Sequence, residues 1–402
     1  MSFMQCFKDN ILPQMIQSGV FGVDPTVSSV KDCSEDREEF MSNVNFIDVE
    51  LKVGQASEKI PLFCKFEDND TKEVKREKFQ TDLQFSNEVF VYKEFIPLFP
   101  KSVTNIFPKF YFGAATPGIS SDPGFIVFEN LHPKGFEETR EKVFLDYDHC
   151  SLAFSKLGEF HGSSIQMKAK NPLEFGIKIN QLRETRWLNK HKALQIYFYK
   201  HTTKRGVVPL LKKGEHVDLL NSSLDHLSNV HDVIKEILEV NEHSALCHGD
   251  FCRNNMVFKY ETSGHKPVDV KFYDLGTARY ASPIIDISFF LFLNTTADLR
   301  RKYFKSDFLQ TYLDSVRKYA GTEAPTLEQL WEEFQKKAVY GYLLASFFLP
   351  IMWHGHHDPP TDDLEEMTKQ NLRKGGEEVT EMLSDIVKDL ITWGCLEGFK
   401  SS

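Results

Sequence analysis

One short stretch concentrates the residue types that chemistry needs. His248-Gly249-Asp250 is followed by Asn255, and the run Phe272-Tyr273-Asp274-Leu275-Gly276 supplies a second carboxylate further on. Phosphoryl transfer requires such a set. One carboxylate must accept a hydroxyl proton beside the transferring phosphoryl group. An Asn and a second carboxylate must hold Mg²⁺ against the triphosphate oxygens. A loop followed by a hairpin can bring the three side chains together. HGD alone is a weak signal; HGD with Asn at that offset and a strand-borne Asp-x-Gly is a specific one.

The elements that must position these groups are legible in outline. Residues 1–20 read as a short helix and 24–66 as strands. Val44 and Phe46, then Ile47, Val49 and Leu51, alternate as a strand with a bulge would. Gly54 to Lys59 reads as a turn and Ile60 to Phe66 as the next strand. Residues 71–97 carry helical spacing through Phe79, Leu83, Val89, Tyr92 and Phe95. Phe107 to Phe112 and Gly124 to Glu129 are strand-like. Beyond Leu131 helices dominate, with Cys150, Ala153, Leu157, His161 and Ile165 on one stripe and another helix over 217–241. Strands return near 255–260 and 268–273. Thr326 with Gln329 forms a capping-box pattern ahead of Leu330, Phe334 and Val339. The expected class is α+β, with a β-rich part at 1–130, a mainly helical part at 131–402 and a cleft between two lobes.

Composition removes other classes. The chain has 402 residues, 48 Lys+Arg against 58 Asp+Glu and a net charge of -10, so no basic face for nucleic acid is expected. The longest apolar stretch, Gly341 to Trp353, is too short to span a bilayer, and no membrane attachment is expected. The first residues lack a signal-peptide pattern. The 7 cysteines are odd in number and scattered without CxxC, which points to a reduced, cytoplasmic protein. Phe is abundant, at 35 residues against 13 Tyr and 4 Trp, and is read chiefly as core filling.

The segment from 246 to 293 resembles the ecdysteroid kinase-like family, within the choline/aminoglycoside-kinase-like group. Its catalytic loop HGDxxxNN is matched by HGDFCRNNMVFKY, and the family's continuation by PVDVKFYDLGTARYASPIIDISFFLFL. The resemblance implies a two-lobed protein-kinase-like fold. It also implies ATP and Mg²⁺ as cofactors, Asp250 as catalytic base, Asn255 as a metal ligand and Asp274 as the principal Mg²⁺ ligand. Asp286 falls where the family has an Asp bracing the catalytic loop. Upstream, PLFCKF resembles the strand whose lysine grips phosphate, giving Lys65. FSNEVFVYKEFIP resembles the helix whose glutamate pairs with it, giving Glu88. GFIVFENLHPKGF resembles the hinge, so the backbone at Glu129, Asn130 and Leu131 is expected to meet adenine. The likeness runs over roughly residues 40–360.

One departure stands out. Where protein kinases have a glycine-rich loop, Cys33 to Ser42 has no glycine and four acids, with Ser34 or Ser42 as the available donors. The expected activity is transfer of the γ-phosphoryl of ATP to a hydroxyl of a small molecule, and the resemblance implies a steroid-like or other lipophilic alcohol. A catalytically inactive nucleotide- or ligand-binding protein is the alternative that the acidic loop favours. A protein kinase is disfavoured, since no HRD or APE-like segment is present. Trp353-His354-Gly355-His356-His357-Asp358 has metal-ligand residues but no second cluster to complete a zinc site, so a pocket or surface loop is the better reading. Phe347, Phe348, Met352 and Trp353 are read either as core or as walls of the acceptor pocket. Oligomeric state is not legible.

Overall fold

The computed structural model describes residues 3–23, 25–34, 43–53, 56–67, 77, 80–118, 124–262, 264–355, 358, 359, 361 and 363–399. The chain divides into two compact units: Met1–Glu137 with Lys271–Thr277, and Glu138–Val270 with Ala278–Ser402. The sequence reading placed a single boundary at 130. Instead the chain returns to the first unit over Lys271–Thr277, bringing Asp274 with it. The return is held by packing: Phe272 is fully buried, its N–H donates to the Ile106 carbonyl (2.9 Å), and the Asn87 amide donates to the Gly276 carbonyl (3.3 Å).

The first unit is built on a five-stranded antiparallel sheet of order β1-β2-β3-β5-β4. The strands are β1 Thr26–Asp32, β2 Asn43–Val53, β3 Ala56–Phe66, β4 Phe110–Ala114 and β5 Phe125–Glu129. Period-two alternation sorts its faces. Ile47, Val49 and Leu51 of β2 and Ile60, Leu62 and Cys64 of β3 are buried with Phe7, Ile11, Leu12 and Met15 of the N-terminal helical segment, whose last part is α1, Leu12–Gln17. The alternate β3 positions, Phe63 and Lys65, belong to the opposite face.

Two local expectations are corrected here. β3 begins at Ala56, not Ile60, because its polar start pairs as a strand: Glu50 lies opposite Lys59, and the Lys59 ammonium reaches Asp48 (2.7 Å). The β2–β3 register is continuous. The irregularity sits in the pairing of β1, between Val27 and Ser29. Of the helix expected over 71–97, the structure describes α2, Thr81–Glu94, and a short 3₁₀ turn, Ile96–Leu98. Phe79 lies outside the described residues. α2 buries Phe85, Val89 and Tyr92, and the Tyr92 ring meets Phe128 of β5 (4.7 Å).

In the second unit, α3 (Tyr147–Lys170) and α4 (Lys192–Lys212) precede three strands: β6 Ala245–Cys247, β7 Met256–Tyr260 and β8 Pro267–Phe272. In β8 the chain crosses back to the first unit. Then follow β9 Arg279–Ala281, α5 Ile284–Asn294, α6 Leu309–Ala320, α7 Leu327–Lys337, α8 Val339–His354 and α9 Gly376–Thr392. α5 is buried along its whole length, as its uniformly apolar sequence requires. It meets α8 so closely that a Cβ on Gly341 would sit 2.3 Å from the Ser288 carbonyl oxygen. The apolar run Gly341–Trp353 is therefore mostly core. Among the described residues no helix is long and apolar enough to cross a membrane.

The helix expected over 217–241 is two, Val217–Leu227 and Val230–Ile237, interrupted at Ser228 and Asn229. The Thr326–Gln329 capping box forms in full (2.8 and 3.1 Å). Val339, expected on the same helix, starts α8 instead.

Candidate active site

In the first unit one ammonium sits between two carboxylates. Lys65 on β3 donates to Glu88 Oε2 of α2 (2.9 Å) and lies 3.1 Å from Asp274 Oδ2. Lys65 is reachable by Glu88 because it belongs to the face of β3 opposite Cys64, and Glu88 is itself buried at 1% exposure. Burial alone would lower the Lys65 pKa. The neighbouring Asp274 and Glu88 charges outweigh it, and the ammonium is held charged above its ordinary range. Burial pushes the Glu88 carboxyl up to about 7; Lys65 pulls it down and Asp274 adds to the rise. Glu88 Oε1 has no hydrogen-bond partner among the described residues, consistent with that upward direction. Asp274 has φ 60, in the left-handed region that Asp and Asn tolerate best among side-chain-bearing residues. Removing one partner of a buried pair typically costs about 3–5 kcal/mol.

The raised Glu88 pKa has a consequence for stability. Its native value of about 7 exceeds the ordinary value of 4.5, so its contribution is full below pH 4.5 and is lost as pH rises through about 7. Lys65 stays charged throughout this window and adds no slope. Glu88→Gln is expected to flatten the decline of Tm between pH 4.5 and 8. The difference between the two profiles should build up between pH 4.5 and about 7 and stay level above that. Parallel Tm–pH profiles for the two proteins would refute the assignment.

In the second unit the loop after β6 carries Asp250. Its backbone is tied down by Asp286 of α5, which accepts from the N–H groups of His248 (2.6 Å) and Gly249 (2.8 Å). Gly249 has φ 83, a conformation that favours glycine. Burial would raise the Asp286 pKa, but His161 and the Gly249 N–H hold it below the ordinary carboxylate range. The Asp250 carboxylate takes one donor on each oxygen: Arg186 Nη2 on Oδ1 (2.6 Å) and Asn255 Nδ2 on Oδ2 (3.0 Å). The Asn255 amide also donates to the Asp250 carbonyl (2.8 Å), while Asn254 is exposed. Asn255, not its neighbour, is the amide that meets Asp250. Its Oδ1 is directed away from these bonds.

The remaining sequence candidates are placed as follows. Glu129 ends β5. Its N–H donates to the Lys109 carbonyl (2.9 Å), and its carboxylate accepts from the Lys109 N–H (2.8 Å) and from Lys134. The Asn130 N–H donates to the Pro61 carbonyl (2.9 Å), Leu131 is buried, and the Leu131 carbonyl accepts from Lys134 and Phe136. Ser34 Oγ is engaged with Phe46 N–H (2.9 Å) and Asn45 (3.1 Å). Residues 35–42, with Ser42, lie outside the described residues, as do His356 and His357. Trp353 donates to Glu378 (3.1 Å) and packs on Phe144, whereas Phe348 lies beside the Arg186 guanidinium at 5.8 Å.

Among the described residues one buried trio has metal-ligand chemistry: His161, Cys247 and Asp286. All three are committed elsewhere. His161 bonds Tyr312 (2.9 Å) and Asp286 (3.1 Å), Asp286 braces the loop, and burial pushes the Cys247 thiol up.

Sequence reasoning missed Arg186. It lies 64 residues before Asp250, in an irregular segment with no periodic or motif signal. It also took His161 only as a stripe residue. The helical spacing showed that His161 was buried but not that it faced Asp286.

Solved structures of similar overall course include an ethanolamine kinase of Plasmodium vivax (13% identity, 96% of this chain and 87% of that one, TM-score 0.44). An aminoglycoside 2'-phosphotransferase-IIIa variant in complex with GDP matches at 14% identity over 95% and 99% of the two chains (TM-score 0.43). The amicoumacin kinase hAmiN, with AMP-PNP, Ca²⁺ and its ligand, matches at 11% over 94% and 95% (TM-score 0.40). No curated protein sequence matches the chain. The sequence profile that does match spans residues 36–321, taking in Lys65, Glu88, Asp250, Asn255 and Asp274, and by it the chain belongs to the ecdysteroid kinase-like family.

Proposed function

We propose that this member of a small-molecule kinase family transfers the γ-phosphoryl of ATP to a hydroxyl group of a lipophilic, steroid-like alcohol. The observation that carries the reading is the Lys65 ammonium held between Glu88 and Asp274. A fixed, permanently charged donor of this kind suits the α/β phosphates of a nucleotide. Asp250 orients the acceptor hydroxyl and takes its proton, with its carboxylate fixed by Arg186 and Asn255. The backbone of Glu129, Asn130 and Leu131 would receive the adenine. Asp274 and the Asn255 Oδ1 are hard oxygen donors of the type that Mg²⁺ takes, and each would serve as a ligand. When bound, Mg²⁺ neutralises charge on the phosphate oxygens.

The test uses the full chain with [γ-³²P]ATP and Mg²⁺ against a panel of sterols, terpenoid alcohols, sugars and amino alcohols. Label should appear on lipophilic alcohols. The glycine-free acidic segment 33–42 favours a second reading, a catalytically inactive nucleotide- or ligand-binding protein. Measurable ATP binding with no labelled product from any acceptor would establish that one instead.

A further inference from the structure

Three polar groups have unmet hydrogen bonds among the described residues: the Arg186 guanidinium, which contacts Asp250, and two buried groups, the Trp187 indole N–H and the Tyr340 hydroxyl. The Arg186 guanidinium has five N–H donors. One goes to Asp250 Oδ1 (2.6 Å) and one to the Gly249 carbonyl (3.3 Å). Among the described residues the others have no acceptor. The next residue, Trp187, has its Nε1–H buried without a partner, and so does the Tyr340 hydroxyl of α8. The Trp187 and Tyr340 rings are neighbours at 6.3 Å. Unpartnered buried donors are rare, because each forfeits its bond to water.

These donors are also held in place. Glu184 accepts from the N–H groups of Arg186 (2.7 Å) and Trp187 (2.8 Å), and is itself clamped by both terminal nitrogens of Arg279 (3.0 and 3.2 Å). Gln195 donates to the Arg186 carbonyl (2.7 Å). Burial would lower the Arg186 pKa, but Asp250 more than offsets this, so the guanidinium stays charged. Phe348 lies 5.8 Å from it and contacts Phe347 and Phe289, an apolar surface next to a polar one.

We propose that Arg186, with Trp187 and Tyr340, makes the acceptor site select alcohols that carry a second, neutral or anionic oxygen near the reacting hydroxyl and reject alcohols that carry an ammonium group. The proposal rests on the kinase reading above, which brings the acceptor to Asp250. An acceptor oxygen supplies what the three groups lack. An ammonium offers only donors. It would offer Arg186 and Trp187 only donors where they need acceptors, and place a positive charge beside a guanidinium that does not deprotonate. Asp250 compensates little, since its charge is already paired with Arg186 and its remaining lone pairs receive the reacting hydroxyl.

The experiment uses three probes of one skeleton: 1,2-octanediol, 2-hydroxyoctanoate and 1-amino-2-octanol. Binding to the full chain is followed by titration calorimetry, and transfer by initial rates with ATP. The diol and hydroxy acid are expected to bind, and to be phosphorylated, at least about 10-fold better than the amino alcohol, the scale on which a polar pocket discriminates. Arg186→Gln should shrink that ratio to within about 3-fold while leaving the KM for ATP within about 2-fold. Arg186→Lys should keep the charge preference at lower kcat/KM, which separates charge from loss of folding. Tyr340→Phe should weaken the diol more than the amino alcohol. Equal or reversed preference in the native protein, binding of none of the probes, or an unchanged ratio in a folded Arg186→Gln variant would each overturn the proposal. Binding in the expected order without transfer of phosphate would support this selectivity and refute the kinase reading.

Discussion

Asp274→Asn is expected to lower kcat by about 10²–10⁴, since a metal ligand at a transferring phosphoryl group supplies several kcal/mol. The protein should stay folded. Residue 274 has φ 60, and Asn occupies that region at least as readily as Asp. The substitution also removes one of the two charges around Lys65. Asp274 raises the Glu88 pKa, so its loss lets Glu88 ionise more easily against Lys65. At pH 8 the variant should lose Tm through the broken Lys65–Asp274 pair, but by less than a full buried pair costs, because Glu88 then ionises more easily against Lys65. Two measurements check this: initial rates as a function of Mg²⁺, and Tm at pH 8. Turnover within about threefold of native would remove Asp274 from the metal site.

Asp250→Asn is expected to cut kcat by about 10²–10⁴, the range a positioned general base contributes. The amide keeps an oxygen for the Arg186 N–H and is nearly isosteric, so the loop braced by Asp286 should persist. The KM for ATP should hardly move, because Lys65, Glu88 and Asp274 are untouched. Native turnover in this variant would reassign Asp250 to loop structure. A large loss of Tm together with activity would mean that the Arg186 pair is principally a structural one.

The most legible part of the site was the part written locally. Asp250 and Asn255 lie in one loop, and a few bonds of backbone limit how far apart their side chains can be. The donor from Asn255 to Asp250 is a local contact of this kind. The capping box at Thr326 was legible for the same reason. Strand alternation in β2 and β3 was visible too, because a sheet with one buried face must repeat at two. The start of β3 was not, since Glu58 and Lys59 resemble turn residues until β2 is laid beside them.

Lys65 and Glu88 show where sequence alone stops. A lysine on a strand is usually solvated, and a glutamate on a helix usually lies at the surface. Residue types and the likeness to a kinase family named this pair. Only the packing of α2 in the first unit puts Glu88 at 1% exposure within 2.9 Å of Lys65. Asp274 joins them because the Phe272 segment docks back into that unit. Arg186 is the clearest case. The chain has 48 lysines and arginines, and nothing near position 186 marks one of them as a partner for Asp250. Sequence by itself determined the order of chemical groups along the loop and strands, because neighbours on a chain cannot separate. Tertiary structure decided which distant charges meet, because burial makes an unpaired charge too costly and leaves only those arrangements in which each finds a counterpart.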